Sequence, residues 1–423
     1  MSQVEPGAET SPEFKTSQAE EHVGVPEHNS ADAGSPDGES KIADDEVTPW
    51  EVGNNVDYNK LIDRFGSSPI TPELLERMEK LIGEPVHPWL RRGLFFSHRD
   101  LEQILDMYER GEPFYLYTGR GPSSESLHLG HLVPFQFTQW LQRVFNVPLV
   151  IQLTDDEKFY WKRLTLREAE RLGLENAKDI IACGFDVTKT FIFLNTEYIQ
   201  HLYPVVTKVS RAITYNSARS TFGFKGEDSI GKTGFAAIQA APSFSACFPH
   251  IFDGRETVAC LIPCAIDQDP YFRLTREVAP SLGWRKPALI HSKFFPALQG
   301  ARSKMSASSA TSAIYVTDTP EQIATKIKRH AFSGGRDTLE EHRIKGGDPD
   351  IDVSYQYLSF FLDDDEKLKA LRDGFRAGTI SSAEMKNELI KVLVPMVTNF
   401  QQARARVTDE MVRTFMTVRK ITP

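Results

Sequence analysis

Four cysteines in 423 residues are too few and too badly spaced for a stapled scaffold. Cys183, Cys247, Cys260 and Cys264 form no Cys-x-x-Cys pair and no Cys/His spacing typical of zinc. Cys260 and Cys264 sit in an apolar run, residues 258–266, where buried free thiols are the default. There is no apolar run of about 18 residues, so no helix crosses a membrane. The first residues lack the apolar core of a signal peptide and carry too many acids for a transit peptide. No internal repeat is present. These absences lead to the expectation of a cytoplasmic chain with no metal held by its side chains.

Charge of one sign is scarce everywhere except at the two ends. Residues 1–48 hold 12 Asp/Glu against Lys15 and Lys41, a balance of −10 within a total of −9, so the other 375 residues are close to neutral at +1. Residues 366–423 carry 11 Lys/Arg and 6 Asp/Glu, a local +5. That excess suits an anionic partner or, equally, a solvated helical face. Residues 1–48 are also nearly free of aromatics and are expected to be disordered, because they bury too little to offset ordering entropy.

Order is expected to begin near Thr48-Pro49-Trp50. Residues 57–110 offer two amphipathic helices, Pro72 to Ile82 capped by Thr71 and Asp100 to Arg110. Between them lies a basic, aromatic segment with turn character, 91–100. Apolar strands then alternate with longer amphipathic helices. The pattern predicts strands at 113–118, 147–153, 189–194, 257–264 and 286–292, and helices at about 130–145, 166–183 and 269–278. Such alternation implies right-handed crossovers and an α/β, doubly wound parallel sheet of Rossmann type, with ligands beyond the carboxyl ends of the strands. After Ser308 the pattern turns helical. Ser381 and Glu384 form a capping box ahead of an apolar face of Met385, Leu389, Leu393, Met396 and Phe400, with Pro395 expected to kink that helix. The predicted organisation is a tail 1–48, an extension 49–110, a catalytic domain 111–308 and a helical domain 309–423.

Two short segments carry most of the chemistry. Pro122-Ser-Ser-Glu-Ser-Leu-His128-Leu-Gly130-His131 leaves an apolar strand and opens a helix. Unpaired N–H groups at a helix start favour anions, and the two imidazoles, three residues apart, share one side of the first turn. A zinc pair is the competing reading, but no third ligand is evident nearby. Lys304-Met305-Ser306-Ala307-Ser308 is a small, flexible loop with one mobile cation suited to polyphosphate. Upstream, Gly119 and Arg120 end a strand where backbone would approach a bulky ligand and a guanidinium would fork onto phosphate; a tight turn is the plainer reading. Asp155, Asp156 and Glu157 follow the second strand. Glu157 would pair with an ammonium group, whereas Asp155 and Asp156 read equally well as helix caps. Gln239, Asp267 and Gln268 lie beside small residues and would orient a ligand by hydrogen bonds; by spacing alone they are unremarkable caps.

The ordered pair His128-Leu-Gly-His131 and Lys304-Met-Ser-Ala-Ser308 resembles the HIGH and KMSKS signatures of class I aminoacyl-tRNA synthetases. The segments 238–244 and 264–271 look like the tryptophan-specific branch, and 92–100 and 331–338 are similar to segments of its eukaryotic form. The resemblance runs from about Trp50 to the C-terminus. It implies that ATP and Mg²⁺ are used, that L-tryptophan and its tRNA are substrates, that the helical domain binds the anticodon, and that the enzyme is a homodimer. The apolar stretch 235–252 is the place to look for that contact. It also implies that His128, His131, Arg120 and Lys304 are catalytic and that Gly119, Gly130, Asp267, Met305, Ser306 and Ser308 join them around ATP. Tyr117 and Gln152 would read the indole N–H, and Glu157, Gln239 and Gln268 would hold the amino group. Two departures stand out. Ala307 occupies the place of a second lysine, for which Arg302 is a stand-in, and residues 1–48 do not look like an appended helical domain. The rivals are a tyrosine-specific enzyme, a small-molecule nucleotidyltransferase and a catalytically idle tRNA-binding relative.

Overall fold

A computed structural model describes residues 57–300 and 312–421, all within one unit, Ile42–Pro423. The tail 1–48 and the onset of order near Trp50 lie outside the described residues, as does the Lys304 loop. Seven strands form one sheet: β1 Ser68–Pro69, β2 Phe95–Arg99, β3 Phe114–Arg120, β4 Leu149–Leu153, β5 Thr190–Leu194, β6 Ala259–Ala265 and β7 Ala288–Ser292. Their spatial order is β1-β2-β7-β6-β3-β4-β5. The five strands from β3 to β7 are mutually parallel, while β1 and β2 add an antiparallel edge on β7. The chain winds outward from β3 through β4 to β5 and then returns to β6 on the other side of β3. The reversal opens a crevice at the carboxyl ends of β3 and β6, where ligands of doubly wound sheets bind.

β4, β5 and β7 are buried at every position, as strands covered on both faces must be. One core cluster packs the sheet against helices Leu129–Phe145 and Leu166–Ile181 and continues without a break into the C-terminal helices. A second covers the opposite face with helix Asn195–Ala212 and the segment 237–252. Helix Pro72–Ile82 starts on the expected cap, Thr71 Oγ1 accepting from Leu74 N at 3.3 Å. Helix Ser382–Ala405 has its Ser381/Glu384 capping box and runs on through Pro395. Its buried face is Met385, Leu389, Leu393, Val397 and Phe400, with Met396 packed at the margin.

Two expectations are corrected. Segment 91–100 is more than a turn, since it contains β2. Phe95 to His98 are all buried, and the polar pair escapes the usual cost because Ser97 meets His291 at 2.9 Å and His98 accepts from Leu101 N at 3.2 Å. Its arginines are not a free basic patch either: Arg91 and Arg92 clamp Asp365 of the C-terminal helices at 2.9 and 2.7 Å. Neither Asp155 nor Asp156 is the N-cap of its own helix. Thr154 precedes helix Asp155–Trp161, and although Asp156 Oδ1 accepts from Glu157 N at 2.8 Å, the two carboxylates also reach to Thr196 and Asn195 at the start of helix Asn195–Ala212. Within 235–252, Phe235, Phe244, Phe248, Ile251 and Phe252 are buried in the chain's own core.

Candidate active site

β3 ends in Tyr117-Thr-Gly-Arg120, and each of these residues meets a neighbour at the next strand's end. A Cβ on Gly119 would lie 3.3 Å from the Gln152 carbonyl oxygen, and one on Gly121 would strike Lys158 and the Glu157 carboxylate. Glycine at 121 thus leaves room for the ends of the Lys158 and Glu157 side chains against the turn after β3. Glu157 accepts from Thr154 Oγ1 at 2.6 Å and from Lys158 Nζ at 2.7 Å, which fixes its carboxylate at the crevice.

Arg120 turns back beneath the helix that begins at Leu129. Its Nε donates to Asn176 Oδ1 at 3.2 Å, and Asn176, wholly buried, is fixed by donating to Ser124 O at 2.7 Å. Its Nη1 donates to His131 Nε2 at 2.9 Å. The His128 backbone N–H points at His131 Nδ1 across a longer 3.4 Å, and since a neutral imidazole has one acceptor nitrogen, the ring accepts from either Arg120 or His128 N but not from both at once. The rings of His128 and His131 stack with centroids 3.3 Å apart. Burial, then the nearby Arg120 cation, pushes His128 down to about 3 and His131 well below its ordinary value, so both rings are neutral. Burial lowers Arg120 to about 10, still charged at neutral pH. Two polar atoms of this cluster, Arg120 Nη2 and His128 Nδ1, are inaccessible and have no hydrogen-bond partner. An orphaned buried guanidinium N–H is costly unless an anion supplies the missing acceptor.

The described residues that flank 301–311 come together beside this cluster. Leu298 N donates to Ser312 O at 3.0 Å, closing the base of residues 301–311. From Ser312 the chain pairs with the histidine segment: Leu129 N donates to Ile314 O and Val316 N to Leu127 O, both at 3.0 Å, with His128 opposite Tyr315. The histidine segment and the residues that follow Ser312, far apart in sequence, thus share a short antiparallel bridge. Lys304, Met305, Ser306, Ala307, Ser308 and Arg302 themselves fall outside the described residues. Gly130 opens the helix at the same place, and a Cβ there would lie 3.3 Å from the His128 ring and from Phe295.

On the other side of the crevice Tyr117 Oη donates to Gln152 Oε1 at 2.5 Å and lies 3.1 Å from the Gln239 carbonyl oxygen. Gln152 Nε2 donates to Asn195 Oδ1 at 2.8 Å and to Ile238 O at 3.3 Å. Asn195 Nδ2 donates to Asp156 Oδ1 at 2.8 Å. Asp267 and Gln268 form the short turn after β6, with Gln268 Nε2 and Asp267 Oδ2 at 3.4 Å. Asp269, next in sequence, is buried against Arg99 at 2.7 Å and His291 at 3.0 Å, which hold its carboxyl well below the usual range and fix that turn to β2 and β7. Asn195, Asn176 and Asp269 were not foreseen from the sequence. Asn195 immediately follows β5, so the strand-end rule applied to Gln152 would have found it. Nothing in the sequence marks Asn176, which lies inside a helix.

Fold and site together define an adenylate-forming class I synthetase architecture. The family described as tRNA synthetases class I (W and Y) matches residues 109–398, and the chain belongs to it. Within that family it falls with the tryptophan–tRNA ligases. It is 60% identical over 380 residues to a cytoplasmic tryptophan–tRNA ligase of Schizosaccharomyces pombe, covering 88% of this chain and 96% of that protein. To the human cytoplasmic enzyme it is 57% identical over 389 residues, covering 90% and 83%. The solved structure of an Encephalitozoon cuniculi tryptophanyl-tRNA synthetase bound to tryptophan matches with a TM-score of 0.80 at 44% identity, covering 86% of this chain and 98% of that one.

Proposed function

We infer that this chain is a cytoplasmic enzyme that joins L-tryptophan to its tRNA in two steps, at the expense of ATP. The tryptophan carboxylate attacks the α-phosphorus, a P–O bond breaks, and pyrophosphate leaves with the electron pair. The 2′-hydroxyl of the terminal tRNA ribose then attacks the adenylate carbonyl, and AMP departs. No protein nucleophile is needed; positioning and electrostatics do the work. Beyond the family itself, the observation that carries the assignment of the phosphate side is the pair of orphaned atoms, Arg120 Nη2 and His128 Nδ1, at the crevice.

In this reading Arg120, His128, His131 and Lys304 serve the phosphates, with Gly119 and Gly130 admitting the nucleotide close to the backbone. Met305, Ser306 and Ser308 are assigned to ATP with them, and Asp267 accepts from the ribose. Tyr117 and Gln152 read the indole N–H, while Glu157, Gln239 and Gln268 hold the amino group. Among the described residues no group of three or more His, Cys, Asp or Glu side chains is placed to hold a metal ion. Mg²⁺ is proposed to accompany the phosphates of ATP. The proposed domains are 49–110, 111–308 and 309–423, the last carrying anticodon recognition. The enzyme is proposed to be a homodimer. With Phe235, Phe244, Phe248, Ile251 and Phe252 already buried, exposed Tyr203, Tyr215 and Ile230 on the neighbouring helices are the candidate contacts. Amino-acid-dependent exchange of labelled pyrophosphate into ATP tests the assignment. Tryptophan alone should support it, and exchange driven by tyrosine would overturn the specificity.

A further inference from the structure

Three adjacent parallel strands end in a row of polar side chains that is closed to solvent. Tyr117 on β3, Gln152 on β4 and Asn195 just past β5 are 1%, 0% and 0% exposed, and Asp156 is 7% exposed. The hydrogen bonds among them all run one way: Tyr117 O–H to Gln152 Oε1, Gln152 Nε2 to Asn195 Oδ1, and Asn195 Nδ2 to Asp156 Oδ1. A carboxamide has a donor end and an acceptor end of nearly equal shape, so burial alone does not choose between its two orientations. A carboxylate does choose, because it only accepts. Asp156 therefore obliges Asn195 to turn its amide nitrogen outward to it and its oxygen toward Gln152. Asn195 in turn claims one Gln152 N–H, and the Ile238 carbonyl claims the other at 3.3 Å. Both donors of Gln152 are then used on the side away from Tyr117, and its oxygen is left facing the tyrosine. Turning the Gln152 amide over would set its oxygen against the Asn195 and Ile238 oxygens at once.

We propose that Asn195, anchored by Asp156, is a specificity-positioning residue that fixes the Gln152 carboxamide so that the pocket presents an acceptor to the indole N–H. The proposal rests on the reading of Tyr117 and Gln152 as the groups that meet that N–H. Asn195 touches neither substrate nor nucleotide in this scheme; it acts only through Gln152. Its removal gives Gln152 Nε2 freedom to rotate toward the pocket, where an N–H would oppose the N–H of tryptophan.

The test compares tryptophan with benzothienylalanine, in which sulfur replaces the indole N–H, as substrates for pyrophosphate exchange by the full chain. The ratio of their kcat/KM values reads the N–H contact and nothing else of the ring. Asn195→Ala should lower that ratio roughly tenfold, through a higher KM for tryptophan, with benzothienylalanine little changed. If both substrates lose equally and the ratio holds, Asn195 is only a packing residue and the proposal is overturned. Gln152→Ala separates this failure from that of the underlying reading: if Gln152→Ala also leaves the ratio intact, the indole N–H is read elsewhere. Should Asn195→Ala not fold, Asp156→Leu decides. It removes the oxygen that accepts from Asn195 Nδ2, lets Asn195 turn over, and should move the ratio the same way by less; an unmoved ratio overturns the proposal.

Discussion

The two walls of the crevice are built on opposite principles. On the amino-acid side every buried polar group from Tyr117 to Asp156 has a partner within the chain, in a relay of fixed direction. On the phosphate side Arg120 Nη2 and His128 Nδ1 are buried with none. The finished wall costs little to maintain and discriminates among ligands of similar size, because a mismatched donor or acceptor meets groups that are already committed. The unfinished wall stores unfavourable energy until an anion arrives, and a ligand whose charge shifts during reaction gains most there. Recognition and catalysis thus divide along β3, whose last residues face both ways.

The largest effects should come from exchanging one principle for the other. Arg120→Met removes a buried guanidinium with an unfilled donor, which offsets the acceptors it strands on Asn176 and His131, so pyrophosphate exchange should fall roughly 10²- to 10³-fold with little change in melting temperature. Gln152→Met strands the Asn195 oxygen instead and should cost about 1–3 kcal/mol of stability. A melting temperature that falls more for Arg120→Met than for Gln152→Met would erase the distinction. Next in size, His131→Ala should lower kcat and kcat/KM for adenylate formation by similar factors. A donor that acts in the transition state is worth about 3 kcal/mol, or roughly 10²-fold. A raised KM for ATP at unchanged kcat would place His131 in ground-state binding only.

What was legible in the sequence follows the same division. The parallel strands announced themselves as apolar runs, and the histidine and lysine segments as motifs, because each is local in sequence. β2 did not, since its buried Ser97 and His98 read as polar until partners 194 and 3 residues away satisfy them. Helix Asn195–Ala212 was not foreseen because Pro204 and several β-branched residues interrupt its pattern, although tertiary packing of Tyr198, Leu202, Val205 and Val209 holds it. The relay was invisible for a stronger reason. Its direction depends on Asp156 and Asn195 meeting across 39 residues, and propensity alone made Asp156 a helix cap.

Smaller than the losses on the phosphate side, a change of amino-acid preference should follow when both acceptors are removed. Tyr117→Phe with Gln152→Ala should weaken tryptophan binding by about 1–3 kcal/mol, because a buried indole N–H would have no acceptor. Phenylalanine and tyrosine would gain relative ground. Exchange measured with the three amino acids, beside the melting temperature, checks it. An unchanged tryptophan-to-tyrosine ratio of kcat/KM, with stability lost, would reduce this pair to core packing and leave the amino-acid wall without a recognition role.

The smallest effect expected is also the one in which the two walls pull in opposite directions. His128 is held neutral down to about 3 by burial and by Arg120, whereas in the unfolded chain it takes up a proton near 6.5. Its contribution to stability is therefore complete above about pH 6.5 and is lost progressively as pH falls toward 3. Asp156 behaves in the reverse sense. Burial, reinforced by Asp155 and offset by hydrogen bonds from Asn195 and the Glu157 N–H, raises its carboxyl to about 6, above its unfolded value of 3.8. The folded protein takes up that proton first, so acidification from 6 to about 4 favours folding at this site. Between pH 7 and pH 5 the histidine should cost about 2 kcal/mol and the aspartate return about 1 kcal/mol. His87 and His250, each lowered to about 4 mainly by burial, add to the acid loss, so the intact enzyme should melt at a lower temperature at pH 5 than at pH 7. His128→Asn should shrink that difference and Asp156→Asn should enlarge it, since each removes one of the opposed terms. Equal pH dependence in the wild type and both variants would mean that neither wall carries the strain assigned to it.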